Sequence, residues 1–357
     1  MTNFPGALGS RTHRTPIDVH PEGVPPKSLT VAVTGPTGEI GLPFMRALER
    51  TPEVGHILAM ARRPFEPRDF GWTKTEYRRG DILDRSAVEE LAAGSDVMVH
   101  LAFIVVQASP ASIDINIEGS RNVFEATVAA AVPRLVYTSS VAAYGYDDRG
   151  GAALSEDMAA GGSERHAYSH QKAVVERVLA EALSGSSTDA YIFRPCIVAG
   201  PDAPALLDQL PYNRLGRFVP DILGKVPTGW IPLRPVLPDH GVPIQLVHHD
   251  DVAQALVAAV LGRGTPGVYN LAGAGEIHLA DLARELGWYS VPIPRRAVAL
   301  TATVLSRIEP LAMEAGWLEA MRTPMIMDCA RARRELGWEP VYDTSQTLHE
   351  LVASYRR

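Results

Sequence analysis

Residues 28–50, SLTVAVTGPTGEIGLPFMRALER, change character within one stretch. LTVAV is a short apolar run rich in β-branched residues, the pattern of a strand buried on both faces in a parallel sheet. Three glycines follow at Gly35, Gly38 and Gly41, and a helical pattern begins after them. A strand, a glycine-rich turn and a helix in that order restrict the chain to a βα unit. The turn lets the backbone approach a pyrophosphate at the positive helix N-terminus. The spacing is GxxGxxG. Gly35, Thr37, Gly38, Glu39, Ile40 and Gly41 are the candidate contacts.

The pattern repeats along the chain. HILAMA (56–61), TEYRRGDILD (75–84), DVMVHLAF (96–103) and RLVYTSS (134–140) read as further strands separated by helical segments. Strands alternating with helices predict a Rossmann-type doubly wound parallel sheet. The second strand ends in Arg62-Arg63, with no acid between Glu53 and Glu66. An acidic residue there would take a ribose 2′-hydroxyl, whereas arginine can pair with a 2′-phosphate. NADP(H) is therefore favoured and NAD(H) stays open. A solvated arginine pair at a strand end would look the same. Asp81 is a candidate for the adenine amino group, or simply a turn former.

Composition excludes several classes. The 357 residues are 46% hydrophobic and 21% charged with a net charge of −7, and no basic run suggests nucleic acid. No apolar stretch approaches the roughly 18 residues that span a bilayer. Residues 1–28 carry no signal-peptide core and read as a flexible leader. Two cysteines, Cys196 and Cys329, make no disulfide framework, so the cytosol is the expected compartment. The run His248-His249-Asp250-Asp251 invites a metal reading. Neighbouring residues on a strand face opposite ways, so no metal site is expected.

In the middle of the chain, AYSHQK (167–172) puts Tyr168 and Lys172 four apart on a helical pattern, hence on one face. Such a pair is ordinarily a solvated face. Here it follows Ser139-Ser140 at a strand's carboxyl end, where open α/β sheets bind ligands. The whole resembles the extended short-chain dehydrogenase/reductase family, the group of epimerases, dehydratases and related reductases. The resemblance rests on TGPTGEIG (34–41), GDILD (80–84), HLAF (100–103), NIEGSRNV (116–123), SSVAAYG (139–145), YSHQK (168–172), FRPCIVAGP (193–201), VHHDDVAQAL (247–256), YNLAG (269–273) and ARRELGWEP (332–340), in the family's order over residues 29–340.

That resemblance implies an NAD(P)-dependent oxidoreductase. Tyr168 would be the general acid/base, Lys172 would lower the phenol's pKa and hold the nicotinamide ribose, and Ser140 would donate to the substrate oxygen. Asp81, Ile82, Leu101, Ala102, Pro195 and Val198 become further cofactor contacts, with Cys196 nearby, and Asn116 matches the family's helix asparagine. It implies a dinucleotide domain of 29–198 plus 246–274 and a smaller substrate lobe of 199–245 plus 275–357. Departures narrow the reaction. Val141-Ala142 stand where dehydratases carry an Asp-Glu pair, and Ile244 stands where epimerases carry a diphosphate-binding arginine. Arg214, Arg217 and Arg234 could replace it. The proline-rich stretch 199–245, with Trp230, promises an apolar pocket suited to a small carbonyl or alcohol. A sugar-nucleotide epimerase is the second reading and a nucleotide-binding regulatory protein the third. The only partner expected is a small-molecule substrate, with a homodimer left open. The two RELGW copies (284–288 and 334–338) each read as a helix ending at glycine.

Overall fold

A computed structural model describes residues 28–105, 110–147, 150–164, 166–208, 210, 235–294 and 323–356. At its centre lie β1 (Leu29–Thr34), β2 (Val54–Ala61), β3 (Thr75–Arg79), β4 (Val97–His100), β5 (Arg134–Thr138), β6 (Asp189–Pro195) and a later strand, Gly267–Leu271. They form one seven-stranded sheet in the order 3-2-1-4-5-6 followed by 267–271. Every pairing in it is parallel. The expected doubly wound sheet is therefore present. α1 (Gly41–Glu49), α2 (Arg85–Ala92), α3 (Pro110–Ala129) and α4 (Ala167–Leu183) link its strands. The strand order reverses between β1 and β4, which places a crevice at their carboxyl ends.

Both faces of the sheet are covered, which explains the unbroken apolar strands. Val31, Val33, Val97 and Val99 face one core cluster with Phe44, Met45 and Leu48 of α1. Ala32, Met98, Leu135 and Tyr137 face the other with Phe124 of α3 and Val175 and Leu179 of α4. Alternate residues of one strand thus enter different cores.

Beyond the sheet the chain makes β7 (Ile197–Ala199), α5 (Ala205–Asp208), β8 (Val236–Asp239), β9 (Leu246–His248) and α6 (His249–Val260). β10 is the returning Gly267–Leu271, and α7 (Leu279–Leu286), β11 (Tyr289–Pro292) and α8 (Thr344–Tyr355) follow. β7 pairs with β9, and β8 with β11. A third core joins Leu207, Leu237, Leu246, Leu279, Leu282, Leu348 and Leu351. Met327, Cys329, Leu336 and Trp338, placed in the second lobe by the sequence division, pack instead into the first core. Their backbone explains it: Leu154 exchanges hydrogen bonds with Ile326 and Asp328. The leader 1–27 and Arg214, Arg217, Trp230 and Arg234 lie outside the described residues. No helix among those described is long and apolar enough to cross a membrane.

Candidate active site

The glycine turn sits where β1 meets β4. Gly35 has φ +76°, and a Cβ there would fall 2.7 Å from the Ala102 amide nitrogen. At Gly41 a Cβ would meet the Gly35 carbonyl oxygen at 2.2 Å. Glycine at both positions is demanded by the fold itself. Gly38 differs: the nearest protein atom to a Cβ there is 3.6 Å away. The protein leaves room beside Gly38 at the head of α1, which fits a cradle for a diphosphate. Glu39 turns its carboxylate to accept from the Ala205 amide at 3.0 Å. Burial raises its pKa.

The other candidate contacts lie at or just beyond strands of the sheet or in the segments that follow them. Arg62 and Arg63 are exposed just past β2. Asp81 accepts from the Leu83 amide at 3.0 Å, so it does form a turn, and Ile82 is buried. Leu101 and Ala102 directly follow β4, and the Leu101 amide donates to Thr34. Pro195 ends β6 and Val198 lies in β7.

At the neighbouring strand end, β5 runs into Ser139-Ser140 and a short 3₁₀ turn, Val141–Tyr144. The two serines separate in role. Ser139 donates to Glu176 Oε1 at 2.6 Å. Ser140 caps the 3₁₀ turn, accepting from the Ala142 amide at 3.2 Å, and its hydroxyl is near enough to the Tyr168 phenol to favour the phenolate. α4 begins at Ala167, so Tyr168 stands in its first turn and Lys172 one turn further along. Ser169 ties this turn to the 3₁₀ segment through the Ala142 carbonyl at 2.7 Å.

Burial raises the Tyr168 pKa, and Ser140 opposes that rise. The sequence-based expectation was a phenol lowered by Lys172. The lysine instead donates to the Thr138 carbonyl at 3.0 Å and to the Tyr137 hydroxyl at 3.4 Å. Only 3% exposed, it is pulled by desolvation to a pKa of about 7, with Glu176 opposing. Asn116 grips the loop after β4, accepting from the Ile104 amide at 2.8 Å and donating to the Ile104 carbonyl at 2.9 Å. It also donates to Gln171 at 2.7 Å.

Sequence reasoning missed Phe103 and Tyr137 around the lysine, and the buried pair beneath it. Arg194 meets Glu176 twice, Nε to Oε1 at 3.0 Å and Nη2 to Oε2 at 2.6 Å. Phe103 does stand in the HLAF motif, but nothing in its spacing points to Lys172. The opposite-face argument for His248 and His249 also fails. β9 ends at His248 and α6 starts at His249, so the rings meet at 4.2 Å between centroids. His248, His249 and Asp250 offer donor atoms within 4.8 Å of one another. Two of the ring nitrogens are engaged within the protein, while His249 Nε2 is buried without a hydrogen-bond partner among the described residues. The Asp250 amide donates to His248 Nδ1 at 3.2 Å, and His249 Nδ1 lies 3.0 Å from Asp250 Oδ1. Arg46 pairs with Asp202 and reaches Asp250 at 3.9 Å.

A glycine cradle at the switch point, beside Ser140 at the next strand end and Tyr168 and Lys172 on α4, defines the class: a dinucleotide enzyme of the extended short-chain dehydrogenase/reductase type. Within it, the chain belongs to the NAD dependent epimerase/dehydratase family, whose model matches residues 31–272. An uncharacterized protein of Sinorhizobium fredii, y4nG, is 27% identical over 92% of this chain and 78% of its own length. Rv2047c of Mycobacterium tuberculosis is 26% identical over 92% of this chain, which spans 30% of that longer protein. A 3 beta-hydroxysteroid dehydrogenase/Delta 5→4-isomerase of Mycobacterium tuberculosis is 27% identical over 91% of this chain and 90% of its own. Among solved structures, gox2253 superposes with a TM-score of 0.69 at 24% identity, covering 92% of this chain and 98% of its own. MoeE5 in complex with UDP-glucuronic acid and NAD does so with a TM-score of 0.66 at 20% identity, covering 92% and 99%.

Proposed function

We propose that the chain interconverts a carbonyl and an alcohol on a small, fairly apolar molecule, using NADP(H) in preference to NAD(H). The observation that carries this is the placement of Ser140 and Tyr168 together at the sheet's carboxyl edge, with Lys172 one helical turn on. The bound dinucleotide supplies hydride exchange with the substrate carbon. Ser140 and Tyr168 hold the substrate oxygen. Tyr168 gives its proton to that oxygen during reduction and takes it back during oxidation. Burial keeps the phenol protonated at neutral pH, which suits the acid's part. Lys172 supplies positive charge beneath the site and holds the ribose.

The dinucleotide unit in this reading is 29–198 with 246–274. The substrate lobe is 199–245 with 275–357, of which the stretch from Met327 to Trp338 packs back against the sheet's core. Arg62 and Arg63 are the proposed 2′-phosphate ligands, with Asp81, Ile82, Leu101, Ala102, Pro195 and Val198 along the cofactor. The hydroxysteroid dehydrogenase relative supports an apolar alcohol, as does Ile244 in place of an arginine. The epimerase reading is favoured by MoeE5, whose structure holds a sugar nucleotide. The proposed compartment is the cytosol.

The test begins with a screen of ketones, sterol-like alcohols and sugar nucleotides for turnover with NADPH and NADH. Tyr168→Phe then lowers turnover by about 10²–10⁴ while cofactor affinity stays near wild type. Full activity in Tyr168→Phe overturns the assignment. Arg62→Ala with Arg63→Ala weakens NADPH more than NADH. Tighter NADH binding in the wild type, unchanged by those substitutions, overturns the cofactor preference.

A further inference from the structure

We infer that Phe103 is a positioning residue for Lys172: the face of its ring holds the lysine's ammonium in place and in its charged form. The inference rests on the oxidoreductase reading only for its consequence, because the geometry stands without it.

Lys172 Nζ lies 3.7 Å from the centroid of the Phe103 ring and 5.2 Å from that of Tyr137. Its hydrogen-bond acceptors are the Thr138 carbonyl and the Tyr137 hydroxyl. The titratable groups around it come from three elements: His100 on β4, Tyr137 on β5, and Tyr168 and Glu176 on α4. His100 is neutral at working pH, its pKa held at about 3 by burial and by Lys172 itself. Among the described residues Glu176 is the one carboxylate that favours the ammonium, and it is committed to Arg194 and Ser139. An ammonium buried so deeply, with no carboxylate among the described residues bonded to it, depends on what they do supply: a carbonyl, a phenol oxygen and two aromatic faces. A ring face at this distance attracts a cation, most strongly where water is excluded.

The same ring meets Tyr168 edge to face, at 5.8 Å between centroids and 83° between planes. One side chain therefore touches both members of the tyrosine–lysine pair. Phe103 is itself set by its loop, because Asn116 grips the next residue, Ile104, by both amide and carbonyl. Asn116 so acts on the lysine through Phe103.

The experiment reads the lysine directly. The chain has four lysines, Lys27, Lys74, Lys172 and Lys225, so labelling lysine with ¹³C at Cε gives a resolvable spectrum. Lys172→Arg assigns the signal in the full-length protein. Phe103→Leu keeps an apolar side chain over the ammonium and removes only the aromatic face. The Lys172 midpoint in that variant falls by about 0.5–1 pH unit. Phe103→Trp holds the midpoint at or above wild type. The signal of Lys74, whose ammonium donates to the Thr51 carbonyl, reports whether the fold is intact. An unchanged or raised midpoint in Phe103→Leu overturns the inference. The titration needs no turnover. A lowered midpoint in a protein that turns over none of the screened substrates therefore supports the role of Phe103 and counts against the oxidoreductase reading alone.

Discussion

Arg194 and Glu176 are both nearly shielded from water, at 4% and 7% side-chain exposure, and they face each other in two parallel hydrogen bonds. Arg194 also donates to the Met158 carbonyl at 3.1 Å and stacks over the Tyr144 ring at 4.3 Å. Such a pair contributes little net stability, since desolvation offsets the attraction, but removing one partner strands a buried charge. Glu176→Leu alone is expected to cost about 3–5 kcal/mol. Adding Arg194→Met should restore most of it, since buried pairs often tolerate joint apolar replacement. Urea unfolding of the single and double variants checks this; a single variant within 1 kcal/mol of wild type, by the same urea extrapolation, defeats it. At this scale local patterns in the sequence put Ser140 at a strand end and Tyr168 and Lys172 on one helical face, where the structure has them, while the roles proposed for them came from the family resemblance. It hid Phe103, Tyr137 and Glu176's partner. Lys172 and Tyr137 are 35 residues apart, and only the β5–α4 packing brings them together.

The βα units were legible because their code is short: an apolar run, a turn, an amphipathic helix. Element boundaries were not. Reading His248 and His249 as one strand gave opposite faces, whereas the strand-to-helix junction between them turns both rings to one side. The RELGW copies show the same limit. Gly287 and Gly337 both end their segments with positive φ, as expected. The first closes α7, but the second closes a five-residue π-turn, Ala332–Leu336. The glycine turn gives the sharpest test at this scale. Gly35→Ala should lower stability, because its Cβ meets backbone and its φ is left-handed. Gly38→Ala meets no such clash, so the protein should melt within a degree or two of wild type by the usual stability scaling. Its dinucleotide affinity should nonetheless fall, because the methyl group enters the space kept for the diphosphate. Calorimetry with and without NADPH separates the two. Equal affinity in Gly38→Ala and wild type would remove the cradle from this turn.

Across the whole molecule, the last described segment stitches the units together rather than belonging to one. Asp251, fully buried in α6, accepts from the Val341 amide at 2.8 Å and the Tyr342 amide at 3.1 Å. Its own carbonyl accepts from Trp338 Nε1 at 2.8 Å. The segment thus passes from the sheet's core, at Met327 and Trp338, to α8 in the third core. No local pattern could announce this, because the contacts join residues about ninety apart in the chain. Tyr342 also stacks on His248 at 4.0 Å, so this junction carries a histidine kept neutral. Burial lowers His248 to about 4, and His100, inside the sheet's second face, to about 3. Both have an unfolded value near 6.5. Between that value and the folded ones, the unfolded chain binds up to two protons that the folded chain refuses. Stability therefore rises with pH through this window and is lost as pH falls below about 6.5. Carboxylates with lowered values lose their contribution only at more acid pH. The expected outcome is a falling urea midpoint from pH 7 to pH 5. His248→Asn should flatten that slope by about one proton's worth and leave the His100 share in place. A wild-type midpoint that stays level across pH 7 to 5 shows that neither histidine is held neutral in the fold.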